Sequence, residues 1–400
     1  MENKNEWKKV KLGDIAKIKG GKRLPKEVTL QKNKNKHPYI KIKDMILLKK
    51  LDINSSFEYV PDYIFEKIKN YIVNENDIIL SIVGTIGLVN KIGSSLNGAN
   101  LTENCVKITT KENIDYDYLY YFLISQKGKI EIEKGIVGAV QPKLPIKNIE
   151  NIEIKLPSLI SQKKIAKILS GIDSKIELNN KINNNLEKQV QLIFNNHFFN
   201  KDKNYTNYIS SNLLEIADFL NGLAMQKYTP NDFNEKSYPV LKIKELNQGF
   251  TDKNSDRCSN KIKPEYIINN GDIIFSWSGT LLIKIWCGNK CGLNQHLFKV
   301  TSKKYDKWFY FLWINYHLKK FISIAKDKAT TMGHIKRADL EKAFVLIPPE
   351  KEYESLNKIL TPLFENIISN KKENNHLVNL KNYLLPKLMN GEIDIENIEL

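Results

Sequence analysis

The chain has 400 residues, 42% of them hydrophobic, with 62 Lys and Arg against 45 Asp and Glu, a formal net charge of +17. No apolar run reaches the ~18 residues of a membrane span, four cysteines are too few for a secreted disulfide scaffold, and a start reading Met-Glu-Asn-Lys-Asn-Glu-Trp carries no secretory signal. A cytoplasmic, reduced protein with a polyanionic partner is expected, although a composition rich in Lys, Asn and Ile, with Arg only at 23, 257 and 337, by itself explains part of the charge.

In chain order, the first fifty residues hold sixteen Lys or Arg against five Asp or Glu. An amphipathic stretch at 12–18 ends in Gly20-Gly21, and strand-like runs follow at 39–42, 78–83 and 105–108. An aromatic helical stretch at 116–124 and a strand-like run at 149–156 lead to Pro157. A long helix is then expected, with apolar residues three or four apart at Ile165, Leu169, Ile172, Ile176, Leu186, Val190 and Ile193.

The same order then returns. Leu12-Gly13-Asp14-Ile15-Ala16 recurs as Leu213-Leu214-Glu215-Ile216-Ala217, 201 positions on, and Asp77-Ile78-Ile79-Leu80-Ser81 as Asp272-Ile273-Ile274-Phe275-Ser276, 195 positions on. Strand-like runs at 240–243, 273–277 and 297–300, an aromatic helical stretch at 308–314 and a run at 340–347 lead to Pro348, 191 positions after Pro157. A second long stripe follows at Leu356, Leu360, Leu363, Ile367, Leu377 and Leu384. So long a period suits two domain-sized α/β copies, each with its own core.

Both stripes break at matching places: Asn179 and Asn183 in the first, Asn370 and Asn374 in the second. A polar Asn in an apolar seam is satisfied only opposite a matching partner, so the two helices are expected to pack antiparallel with these residues near their crossing. Gly171 and Pro362 also correspond, and a kink or restart is expected there. From that point each helix would run about 27 residues, a rod of roughly 40 Å at ~1.5 Å per residue, close to one turn of B-DNA.

The familiar catalytic patterns do not occur: no Gly-x-x-x-x-Gly-Lys-Ser/Thr, no Gly-x-Ser-x-Gly and no His-Glu-x-x-His. Gly84-Thr85-Ile86-Gly87 lacks the third glycine of a dinucleotide loop, and Cys287 and Cys291 have no second ligand pair, so no metal is expected. Ile347-Pro348-Pro349-Glu350 lacks the leading acid or amide and the aromatic of an aminomethylation pocket.

Glycine-bearing polar loops recur instead. Lys19, Lys22 and Arg23 surround Gly20-Gly21. Ser81 and Thr85 in the first copy, with Ser276, Ser278 and Thr280 in the second, place hydroxyls at strand ends suited to phosphate contact. Gln141 and Lys143 precede the last strand of the first copy, as Thr331, His334, Lys336 and Arg337 precede that of the second. Gln141 suits a fork to adenine, His334 or Arg337 a contact to guanine. Each loop alone is equally well an ordinary solvated turn; their recurrence favours a duplex-reading surface.

A repeated unit opening Leu-x-Asp/Glu-Ile-Ala, an internal Asp-Ile-Ile-x-Ser, a closing Ile-x-x-Pro, the stretch Ile165-Ala166-Lys167-Ile168-Leu169-Ser170-Gly171-Ile172-Asp173 and the tail Leu384-Leu385-Pro386-Lys387-Leu388 together resemble the specificity subunit of type I restriction–modification systems. The resemblance covers nearly the whole chain. It implies a mixed α/β fold of two tandem target recognition domains, 1–158 and 201–349, separated by two conserved antiparallel coiled-coil helices at 159–200 and 350–400 in a pseudo-two-fold arrangement. It further implies that each domain reads half of a split double-stranded DNA site and that the helices set the gap. The chain would be non-catalytic and bind no cofactor itself. Two methyltransferase subunits with S-adenosylmethionine, and restriction subunits with ATP and Mg2+, would join it. A self-sufficient DNA methyltransferase or nuclease, and a protein-only coiled-coil adaptor, are the alternatives.

Overall fold

In a computed structural model, described at residues 7–45, 49–200, 202–230, 232, 235–327 and 333–395, each copy of the repeat closes on itself. Strand Lys8–Lys11 pairs antiparallel with Glu153–Leu156, and Ile209–Asn212 with Phe344–Ile347, so the start of each copy is held by the strand before its terminal proline. The chain divides into two units: residues 1–174 with 379–400, and residues 175–378. The division falls inside both long helices, so neither 159–200 nor 350–400 stands as a body of its own.

In the first unit the main sheet runs in the order Ala16–Gly20, Cys105–Thr110, Ile78–Ser81, Val89–Ile92, Lys50–Leu51. Its central run is continuously apolar because both faces are covered: Ile78 and Leu80 enter one core while Ile79 enters another. The aromatic helix Tyr116–Ile124, capped by Asp115 through the Tyr118 N–H at 2.9 Å, buries Tyr118, Tyr121 and Phe122 against the first of these cores. Ile165 and Leu169 join it from the first long helix, Leu159–Phe198, as do Leu388 and Met389 from the second, Glu350–Asn390.

The second unit repeats the first four strands of this order, without a counterpart of Lys50–Leu51 among the described residues. Its sheet runs Asp218–Asn221, Leu297–Thr301, Asp272–Ser276, Leu282–Trp286, with Ile273 and Phe275 in one core and Ile274 in the other. A small sheet with a parallel pair recurs too: Pro38–Ile40 beside Asn100–Leu101 in the first unit, Ser237–Leu241 beside Cys291–Leu293 in the second. Helix Lys307–Asp327 extends well past the expected 308–314 and buries Trp308, Phe309 and Trp313. The amphipathic stretches at 12–18 and 213–220 are each a single helical turn, Leu12–Ile15 and Leu213–Ile216, followed by a strand. All four cysteines are free and buried, and among the described residues no helix is long and apolar enough to cross a membrane.

Within the second unit the long helices pack antiparallel through the expected asparagines. Asn179 Nδ2 donates to Asn374 Oδ1 at 2.9 Å and to Glu373 Oε2 at 2.7 Å, while Asn370 Nδ2 donates to Asn183 Oδ1 at 2.9 Å. The two Asn pairs exchange under the repeat, since Asn179 corresponds to Asn370 and Asn183 to Asn374. The match is incomplete: Asn183 Nδ2 reaches the Ile367 carbonyl, whereas the buried Oδ1 of Asn179 has no partner among the described residues.

The helices do not restart at Gly171 and Pro362; both continue through these positions. Leu169 and Ile172 flank the glycine and Leu360 and Phe364 the proline, all buried, so core packing on either side outweighs the local propensity cost.

Candidate nucleic-acid interface

In each unit three strands of the main sheet begin or end at one edge. Gly20 stands opposite Val106 and Ser81 opposite Cys105 in the first unit; Asn221 stands opposite Phe298 and Ser276 opposite Leu297 in the second. The loops leaving this edge are tied together by the same backbone hydrogen bonds. In the first unit these are Gly21 N–H to Cys105 O (3.0 Å), Lys22 N–H to Leu101 O (2.8 Å), Thr102 N–H to Ile40 O (3.1 Å), Ile82 N–H to Asn104 O (2.8 Å) and Leu144 N–H to Ile82 O (2.9 Å). Their counterparts are Gly222 to Leu297 (3.0 Å), Leu223 to Leu293 (2.9 Å), Asn294 to Leu241 (3.3 Å), Trp277 to His296 (3.4 Å) and Ile335 to Trp277 (3.0 Å). Bridges Val83 to Lys143 and Ser278 to His334 add the loop before the last strand.

The repeated glycine has a steric cause. A Cβ on Gly21 would lie 2.0 Å from the Thr102 carbonyl oxygen, and one on Gly222 would lie 2.2 Å from that of Asn294. Only glycine lets the two loops approach this closely.

On this common frame the side chains differ. Ile82, Val83, Thr102, Glu103, Asn104 and Lys143 in the first unit stand where Trp277, Ser278, Asn294, Gln295, His296 and His334 stand in the second. Lys19, Lys22, Thr85, Gln141 and Lys143 are exposed at the first edge, and Lys22 Nζ lies 5.4 Å from the ring centre of Tyr71. Arg23 is not a free fork: its Nε donates to Glu103 Oε1 at 2.6 Å. That bond raises the guanidinium pKa. Burial pushes the Glu103 carboxyl up, but its hydrogen bonds, led by the one from Arg23, hold it below its ordinary value. The tip of the 137–143 hairpin carries Val140, 94% exposed.

Ser81 and Ser276 do not face a ligand as expected. Both are fully buried; Ser81 Oγ donates to the Thr85 carbonyl and accepts from the Leu88 N–H, and Ser276 Oγ donates to the Ser278 carbonyl. A serine hydroxyl at a strand end can close the turn that follows, and here it does. Ser278 is also buried, with Oγ 2.9 Å from His296 Nδ1. Thr280, Lys336 and Arg337 are exposed, His334 is half-buried beside Trp277, and Thr331 lies outside the described residues. Trp277, His296 and Glu103 were not singled out by motif. The three-residue segments Thr102-Glu103-Asn104 and Asn294-Gln295-His296, each just before a strand, were the available signal.

A family model described as the type I restriction modification DNA specificity domain matches residues 4–188 and again 205–379. The chain is 26% identical to the type I restriction enzyme MjaIX specificity subunit of Methanocaldococcus jannaschii, over 98% of this chain and 95% of that protein. It is also 26% identical to the MjaVIII specificity subunit of the same organism, over 98% and 94%. In fold it is similar to the crystal structure of a type I restriction–modification S subunit from M. genitalium, with a TM-score of 0.58, 17% identity and 97% of each chain covered.

Proposed function

Because the chain belongs to the type I restriction–modification DNA specificity family and is a specificity subunit, we propose that each of its units reads one half of a bipartite duplex site through the loop edge described above. The observation that carries this reading is the repeated backbone frame bearing unlike side chains. A frame held by the same five hydrogen bonds presents two different sets of base-reading groups, as a site with two different halves requires. Exposed Lys19, Lys22, Lys143, Lys336 and Arg337 suit phosphate contacts that position the duplex.

The long helices set the gap between half-sites, and their matched asparagines fix the register on which that gap depends. Two methyltransferase subunits dock on the helical region and restriction subunits join them. S-adenosylmethionine, ATP and Mg2+ are held by those partners; the chain is non-catalytic and works in the cytoplasm.

The test is to combine the chain with its modification subunit and map methylated adenines. A split consensus is expected, and replacing residues 1–158 by those of a relative changes one half of it alone. A change in both halves, or methylation or cleavage by the isolated chain, would sink the reading. DNA binding by the assembled complex should also weaken steeply with salt.

A further inference from the structure

We infer that His296 determines specificity in the second unit, donating its Nε2–H to a guanine acceptor, O6 or N7, in the half-site that unit reads. This rests on the function proposed above and names the group that performs it at one position.

The inference starts from a buried hydroxyl. Ser278 is only 4% exposed, and its Oγ has His296 Nδ1, 2.9 Å away, as its one side-chain partner among the described residues. If Ser278 merely accepted from the ring, its own proton would be buried without an acceptor. The hydroxyl therefore donates to Nδ1, and the neutral ring carries its proton on Nε2. Nε2 has no partner among the described residues, and His296 is half-buried just before strand Leu297–Thr301, on the loop edge.

The ring is also held in place. Its backbone carbonyl accepts the Trp277 N–H, and the Trp277 ring centre lies 6.0 Å from its own. The indole is fixed in turn by Asn221, whose Oδ1 accepts from Nε1 at 3.1 Å, and by Phe298 at 5.9 Å. A rigid donor at a half-buried edge meets the chemistry of base readout: guanine shows two adjacent acceptors in the major groove, whereas adenine sets an amino donor beside its N7 and cytosine shows an amino donor alone. In the first unit the same backbone position carries Asn104, a side chain with one donor and one acceptor that suits the N6 and N7 of adenine. The two units thus differ in recognition chemistry at one equivalent place.

The experiment is adenine methylation mapping with the chain and its modification subunit, comparing wild type with His296→Asn, His296→Gln and Ser278→Ala, each checked by thermal melting. His296→Asn should move one base of the second half-site from guanine toward adenine. Ser278→Ala should relax that base by roughly 10- to 100-fold, the loss expected of one good base contact. His296→Gln should shift the same base as His296→Asn, and the first half-site and the gap should not change in any of the three variants. An unchanged consensus in variants that melt like wild type would overturn the inference, as would a wild-type second half-site without guanine. If wild type showed no split consensus at all, the failure would lie with the proposed function instead.

Discussion

Substituting Gly21 by Ala tests whether the recurrent glycine exists to let two loops touch. The added Cβ would stand 2.0 Å from the Thr102 oxygen and 2.4 Å from that of Leu101, both of them backbone atoms that cannot rotate away. Bringing the nearer contact merely to ~3 Å moves the loops apart by about 1 Å, which stretches the 3.0 Å bond from Gly21 and the 2.8 Å bond from Lys22 beyond hydrogen-bonding range. Two lost bonds at about 1 kcal/mol each, with about 1–3 kcal/mol of overpacking, give a cost of roughly 3–5 kcal/mol. Urea unfolding can localise the damage, because four of the five tryptophans (277, 286, 308 and 313) lie in the second unit and only Trp7 in the first. Gly21→Ala should lower the far-ultraviolet circular dichroism midpoint of the first unit while tryptophan fluorescence barely moves; Gly222→Ala should do the reverse. Gly171→Ala, where a Cβ meets nothing within 4 Å, should stabilise by up to about 1 kcal/mol. A Gly21→Ala chain with the wild-type midpoint and methylation pattern would refute the close-approach reasoning.

At the helix seam, Asn183→Leu alone should cost about 1–3 kcal/mol in urea titrations, because it strands Asn370 Nδ2, while the double change Asn183→Leu with Asn370→Leu should be nearly neutral; simple additivity would contradict the pairing. His317 is buried and bonded through Nε2 to the Phe344 carbonyl at 2.7 Å, and burial, assisted by Lys320, holds its pKa below the ordinary 6.5 against the opposing pull of that carbonyl. The unfolded chain therefore binds the proton more readily, so stability is complete above about pH 6.5 and falls toward the lower folded pKa, by at most ~1.4 kcal/mol per pH unit. His317→Gln should flatten melting temperature between pH 7 and 5, and an unchanged slope would show that His317 is not the cause. Deleting one or two helical turns between Ile172 and Leu186 should shorten the gap in the methylated site; an unaltered gap would exclude the helices as its ruler.

What the residues reveal in advance depends on whether their role is local. The runs at Ile78–Ser81 and Asp272–Ser276 read as strands because burial on both faces demands unbroken apolar character. Strand Val89–Ile92 does not, since Asn90 and Lys91 are buried within it, and Lys91 is tolerated only because Asp117 meets it at 2.6 Å. Strand Lys8–Lys11 is equally hidden: it is mostly exposed lysine, and its partner Glu153–Leu156 lies some 140 residues away. The seam asparagines are legible because a polar residue repeated in an apolar stripe has few uses. Ser81 and Ser276 are misleading, because a hydroxyl at a strand end serves a turn as well as a phosphate.

The duplication itself explains why the candidate site was only half visible. Positions that hold the backbone frame must be alike in both copies, so recurrence finds Gly21 and Gly222 and the serines beneath the turns. Positions that read two different half-sites must be unlike, so recurrence is blind to them. Asn104 and His296, or Ile82 and Trp277, differ in shape and recognition chemistry and are matched only by the hydrogen bonds of their own main chain. Within such a repeat the residues that recur should govern folding when mutated, and those that differ should govern which base is chosen. Gly21→Ala and His296→Asn belong to opposite sides of that division, and their effects on melting and on the methylated sequence should separate accordingly.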